Sequence, residues 1–175
     1  MNVVEALKAA IRDIPDFPKP GIMFKDITPI LLNAKLCNEI TGYILNSISQ
    51  PFDAIVGVES RGFLFGLTLA NKAGVPFIPA RKKGKLPGET KAVTYNLEYG
   101  TATIEIHKGH LKQGSKVLVH DDLLATGGTA KAAADLVKTL GAEVAAFSFL
   151  VDLSFLNGRE ILKEISENIY SIATY

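Results

Sequence analysis

Four short apolar runs, AIVGV at 54–58, VPFIPA at 75–80, KVLV opening 116–122 and EVAAFSFLVDL at 143–153, constrain the fold of this chain more than any other feature. Such runs, lacking the polar alternation of a half-exposed strand, read as parallel strands buried on both faces. The segments between them are of helix length. RGFLFGLTLANKAG (61–74) ends on Gly74, and the stretch entered at Thr129 runs to Leu140 and is closed by Gly141. Two βαβ units result, with a last strand expected over Ile169–Ala173. The predicted fold class is α/β: an open, mainly parallel twisted sheet with helices on both faces, in which ligands bind outside the carboxyl ends of the strands.

Ahead of the first unit, Val4, Leu7, Ala10, Ile11 and Ile14 share one helical face, predicting a helix from Asn2 as N-cap to Ile14, with Pro15 as its stop. Residues 15–29 hold four prolines and Gly21, the composition of an ordered, turn-rich strap. A second helix is expected over about Ala34–Ser49, on the register of Leu36, Ile40, Tyr43, Ile44 and Ile48. Between the βαβ units, Val93, Tyr95 and Leu97 precede Tyr99-Gly100, and Ile104 and Ile106 follow, as in an antiparallel hairpin. RKKGKLPGET (81–90) is too polar and too rich in breakers to pack.

A length of 175 residues suits one domain, expected over 1–175. The single Cys37 permits no intrachain disulfide and reads as a small core hydrophobe. Nineteen Lys and Arg against 18 Asp and Glu leave a net charge of +1, which excludes a general nucleic-acid binder and requires any anion site to be local. The amino-terminal segment lacks the pattern of a signal peptide, and no apolar stretch approaches the roughly 20 residues of a membrane span. A cytoplasmic protein with no nucleic-acid or membrane partner is expected.

The chemistry concentrates after the strand VLV, where the chain reads His120-Asp121-Asp122-Leu123-Leu124-Ala125-Thr126-Gly127-Gly128-Thr129 and then enters a helix. Gly127 and Gly128 let the backbone curl around an anion, the first helical N–H groups face it, and Thr126 and Thr129 add hydroxyl donors. Asp121 and Asp122 would repel a phosphate in the same pocket, so they are assigned to neighbouring ligand hydroxyls. A phosphorylated ribose carries both features. The plainer alternative is two acids that solvate a strand end ahead of a simple Gly-Gly turn. No G-x-G-x-x-G occurs, and Gly57 to Gly62 continues as Phe63-Leu64, so neither a dinucleotide site nor a P-loop is indicated.

VLVHDDLLATGGTA resembles the motif of the type I phosphoribosyltransferases over its whole length. Within that superfamily it is similar to the adenine branch, because the hypoxanthine-guanine branch typically carries Asp where this chain has Ala125. IPDFPKPGIMFKDITPIL, VESRGFLFG, RKKGKLPGET and NLEYG look like segments of the same branch. His120 departs from the family, which usually has an apolar residue there.

The resemblance implies transfer of the phosphoribosyl group of 5-phosphoribosyl-1-diphosphate to adenine, giving AMP and diphosphate, by an enzyme with a hood at about 1–33 and a mobile flap at about 81–105. It assigns Glu59, Ser60 and Arg61 to the pyrophosphate loop, with a cis Glu59–Ser60 bond, and Arg81 and Lys85 to the flap over the diphosphate. Phe24 would stack on the base, and the backbone of Met23 and Lys25 would meet its edge. Glu98, beside Tyr99 in the ligand contacts, would accept a proton from adenine N7; an exposed hairpin carboxylate is the alternative. Arg61, Asp121 and Asp122 complete the catalytic set. Magnesium is implied through the diphosphate that carries it, no protein metal cluster is expected, and a homodimer is implied. Two rivals remain: the same reaction on another base, and a non-catalytic purine sensor.

Overall fold

The computed structural model describes residues 2–96 and 100–175. Helix α1 (Val3–Ala10) opens on a capping box in which Asn2 accepts from the Glu5 amide while Glu5 accepts from the Asn2 amide. It stops four residues before the predicted end. Ile11 turns extended, and β1 (Arg12–Ile14) pairs antiparallel with β2 (Phe24–Asp26) in a two-stranded sheet. Cross-strand ion pairs, Arg12–Asp26 at 2.6 Å and Lys25–Asp13 at 2.7 Å, hold residues 12–14 in that ladder against their helical spacing. Asp26 also accepts from the Thr28 hydroxyl and amide, and these with Arg12 hold its carboxyl down to about 2.

A 3-10 turn (Thr28–Leu32) leads into α2 (Ala34–Ser47), two residues shorter than expected. Cys37 is half-buried on α2 and donates to the Ile30 carbonyl, and burial raises its thiol pKa. Then come β3 (Ala54–Val58), α3 (Gly62–Ala73), β4 (Phe77–Lys82), the hairpin β5 (Thr90–Asn96) and β6 (Thr101–His107), β7 (Lys116–Leu124), α4 (Gly128–Thr139), β8 (Glu143–Asp152), α5 (Gly158–Lys163) and β9 (Ile169–Thr174). Gly74 and Gly141 take φ of +70° and +82° where α3 and α4 stop, the left-handed turn that glycine adopts at no steric cost.

Seven strands form one sheet in the order β5-β6-β4-β3-β7-β8-β9, with β4, β3, β7, β8 and β9 parallel and the hairpin antiparallel on the β4 edge. Two strands run further than expected. β4 continues through Arg81 and Lys82, which pair with Glu105 and Ile104. β7 continues past the acids, through Leu123 and Leu124, which pair with Val151 and Asp152.

One face of the sheet packs on α4 and α5 through residues such as Val56, Val119, Phe147 and Leu136. The other packs on α1, α2 and α3 through Leu7, Ile40, Phe65 and Ile55. The chain leaves β3 through α3 toward β4 and leaves β7 through α4 toward β8, so the two helices diverge to opposite faces. The crevice between the carboxyl ends of β3 and β7 is the switch point at which open α/β sheets bind ligands.

Candidate active site

Two adjoining cavities occupy that crevice. The larger, about 310 Å³, is lined by Glu59, Ser60 and Arg61 from the β3 end, Lys82 from β4, and Asp121, Asp122, Leu123 and Thr129. The smaller is walled by the loop from Ala125 to Thr129 and shares Asp121, Leu123 and Thr129 with the first. A cleft beneath α2, lined by Tyr43, Ser47, Ser148, Tyr170 and Ser171 among others, contains no charged group in its lining. A groove beside Asp53 and Ser115 sits at the amino ends of β3 and β7. That groove carries Asp53, His110 and Lys112, but it lies at the end of the sheet opposite the switch point.

The loop is built as an anion cradle. Gly127 adopts φ +84° as the N-cap of α4, and among the described residues no side chain caps the helix, which leaves its first amides to the cavity. Gly127 is also locked from behind: a Cβ there would lie 2.6 Å from the Gly158 carbonyl oxygen. Tyr95 from the hairpin approaches from the far side, its hydroxyl 3.2 Å from Thr129 Oγ1.

Asp121 and Asp122 stand between this cradle and the β3 loop. Asp121 accepts from the Asp122 amide at 2.8 Å, and Asp122 is buried against Arg61 with Nε 3.1 Å from Oδ2. Burial, and then repulsion from Asp122, drive the Asp121 carboxyl well above the usual carboxylate range. Burial raises Asp122 too, against the opposing pull of Arg61. Gly62 permits this proximity, since a Cβ would sit 2.9 Å from Asp121 Oδ1 and 3.0 Å from the His120 carbonyl oxygen.

Arg61 links the two halves of the site. Its guanidinium carbon lies 5.0 Å from the centroid of the Phe24 ring, whose edge is met by Phe17 at 5.0 Å. Arg61 thus packs directly on the Phe24 ring, while Met23 is half exposed. The bond between Glu59 and Ser60 is cis. Burial works against ionisation of Glu59, but hydrogen bonds from Arg81 and the Lys82 amide outweigh it and hold the carboxyl low.

Arg81 is tied to Glu59 at 3.1 Å and donates to the Lys85 carbonyl, while the exposed Lys85 is absent from the lining of either cavity. Lys82, a cation of the flap segment ranked behind Arg81 and Lys85 from sequence, reaches the cleft because β4 extends to it. Glu98 and Tyr99 lie outside the described residues. Buried Glu105 was likewise unforeseen. It accepts from the amides of Gly84, Lys85 and Leu86 and from the Thr90 hydroxyl, and so ties down the basic loop. Burial alone would raise its carboxyl, but those bonds hold it below its ordinary value.

His120 is fully buried with Nδ1 2.8 Å from Ser148 Oγ, and burial pushes it down to about 3, so it is a neutral imidazole at physiological pH. Among the described residues no three His, Cys, Asp or Glu side chains form a metal site, and no helix is long and apolar enough to cross a membrane.

The phosphoribosyl transferase domain family matches residues 24–172. A curated adenine phosphoribosyltransferase of Sorangium cellulosum is 52% identical over 164 residues, covering 93% of this chain and 82% of the relative. The crystal structure of adenine phosphoribosyltransferase from Thermoanaerobacter pseudethanolicus superposes with a TM-score of 0.94 at 48% identity, over 98% of this chain and 99% of that one. The Saccharomyces cerevisiae enzyme, solved with an imino-altritol bisphosphate and adenine, gives 0.92 at 41% identity, covering 97% and 98%. With the cradle, the paired acids and the cis loop in one crevice, the chain belongs to the phosphoribosyl transferase family, in its adenine phosphoribosyltransferase branch.

Proposed function

We propose that this crevice transfers the phosphoribosyl group of 5-phosphoribosyl-1-diphosphate to adenine, releasing diphosphate and AMP. The observation that carries the reading is the position of Asp121, shared by a cavity walled with loop amides and one walled with Arg61 and Lys82. A pentose bearing a 5-phosphate at one end and a diphosphate at the other matches that order of groups. The cradle Ala125–Thr129 takes the 5-phosphate, Asp121 and Asp122 accept from ribose hydroxyls, and the Glu59–Arg61 loop with Lys82 and the Arg81–Lys85 flap faces the diphosphate. Adenine lies on Phe24, its edge against the backbone of Met23 and Lys25. The hood at about 1–33 and the flap at about 81–105 close over the two substrates.

N9 of adenine forms the bond to C1′ as the bond from C1′ to the diphosphate oxygen breaks. Positive charge grows on the sugar and negative charge on the leaving group, where fixed cations and amides do most good. Glu98 accepts the N7 proton and leaves the N9 lone pair free to attack. Magnesium carried in by the diphosphate would offset part of that substrate's charge, while Glu59 stays paired with Arg81 and Asp122 with Arg61. The protein acts in the cytoplasm, in purine salvage, as a homodimer. Leu64 and Leu67, 43% and 49% exposed at i and i+3 on α3, support an apolar interface, and sedimentation equilibrium at the single-chain mass of 18.8 kDa would overturn it.

Base competition tests the assignment. Adenine with magnesium is expected to give AMP, while hypoxanthine and guanine turn over at least about a hundredfold more slowly, since a site built for one purine edge leaves its polar groups unpaired with another. Comparable turnover of hypoxanthine would sink it. In the same assay Glu98→Gln should lower the saturated rate about a hundredfold and Glu98→Ala further, with phosphoribosyl-diphosphate binding retained. Rates for both within about threefold of the parent would make Glu98 a bystander.

A further inference from the structure

The strap that faces Arg61 must be held from behind, and its other side carries an unassigned contact. Successive side chains of a strand point to opposite faces, so Phe24 looks toward Arg61 while Lys25 looks away. The Lys25 side chain is only 10% exposed; its Nζ lies 2.7 Å from Asp13 Oδ1 and 3.9 Å from the centroid of the Tyr175 ring. Lys8 of α1 approaches the same ring at 5.5 Å.

Tyr175 is itself anchored to the sheet. Its amide donates to the Asp152 carbonyl, and its carbonyl oxygen accepts from both the amide and the hydroxyl of Ser154. A buried ammonium needs both its counter-charge and a polarisable surface, and the ring supplies the second. The ring thus joins a rigid part of the main sheet to the small sheet β1–β2, directly behind the residues that meet the base.

We propose that Tyr175 is a positioning residue for the base, acting through Lys25 to set the height of the Phe24 strap over Arg61. This rests on the placement of adenine on that strap. The effect is expected on one substrate, because the Tyr175 ring faces Lys25 of the β1–β2 sheet whereas the cradle and the acids sit on β7 and α4, and replacing the ring leaves the backbone bonds of residue 175 to Asp152 and Ser154 in place.

Steady-state kinetics with each substrate varied separately tests it. Tyr175→Leu is expected to lower kcat/KM for adenine about five- to tenfold while KM for phosphoribosyl diphosphate stays within twofold. Lys25→Met should do the same, and the double variant should be no worse than either single one, because both remove one device. Tyr175→Phe keeps the ring and should fold and act within twofold of the parent.

Adenine kcat/KM within twofold of the parent in Tyr175→Leu would overturn the proposal, as would an equal rise in both KM values or failure of Tyr175→Phe to restore activity. Phe24→Ala separates the two levels. If it raises KM for adenine while Tyr175→Leu is silent, the clasp alone fails; if it leaves that KM unchanged, the base is not on the strap and the clasp falls with it.

Discussion

Turnover is expected to fall at least about a thousandfold when Asp121 and Asp122 are both replaced by Asn, with no loss of the cooperative thermal transition. The amides keep the shape, including the Oδ1 that accepts the amide of residue 122, but they remove two carboxylate acceptors for the ribose hydroxyls and the carboxylate that faces Arg61. Stability should move the other way. Both acids have folded-state pKa values raised by burial, so their protonated forms are favoured in the native state. Their contribution is fully present below the unfolded carboxylate value and is lost as pH rises through the raised folded values. At neutral pH burial of the acidic pair therefore costs stability, and the Asn variant should melt at or above the parent temperature. The gap should shrink as the pH is lowered toward the ordinary aspartate range. A variant that melts well below the parent at neutral pH would identify the pair as structural, and near-parental activity would remove it from the site. Calorimetry across pH with a saturated rate assay reads both.

The strands were legible wherever burial on both faces dictates composition. AIVGV contains no polar side chain because Ala54, Val56 and Val58 face α4 and Ile55 faces α3. The glycine-closed helices were legible for a similarly local reason. What escaped was decided by partners distant in sequence. The apolar spacing of Ile11 and Ile14 continues the first helix on paper, yet Arg12 and Asp13 find opposite charges 12 to 14 residues away and the backbone turns extended. Lys82 reads as loop because it sits in a run of cations, and becomes strand because β6 returns beside it. Glu105 follows Ile104 in an ordinary hairpin pattern, and nothing local announces a buried carboxylate holding three amides of another segment. Within the site, the cradle and acids were readable because they are contiguous. The bridge from Asp122 through Arg61 to Phe24 joins three separate segments, and only the fold brings them together.

The support behind the cradle is the clearest of these non-local features, and Gly158→Ala should expose it. Gly158 opens α5 nearly thirty residues beyond the motif, on a segment to which no role was assigned from sequence. A Cβ there would fall 2.1 Å from the Ala125 carbonyl oxygen and 3.0 Å from the Gly127 nitrogen. Those are backbone atoms of the cradle and cannot swing aside like the tip of a side chain. Nor can α5 readily retreat, because Arg159 is fixed to Asp152 at 2.5 Å and to the Ile169 carbonyl and Ser171 hydroxyl. The phosphate loop must therefore move, and a displacement of about 1 Å at a positioning element can cost on the order of a hundredfold in rate. The expected result is a rise in KM for phosphoribosyl diphosphate with a loss of about a hundredfold or more in kcat/KM, alongside an overpacking cost of about 1–3 kcal/mol in stability. Gly42→Ala provides the contrast: on α2 its Cβ would meet only the far end of Lys72, at 3.2 Å. There alanine should leave both KM values unchanged and stabilise the helix by up to about 1 kcal/mol. If Gly158→Ala retains the parental KM for phosphoribosyl diphosphate and the parental rate, the cradle does not depend on α5, and its shape resides in Gly127 and Gly128 alone.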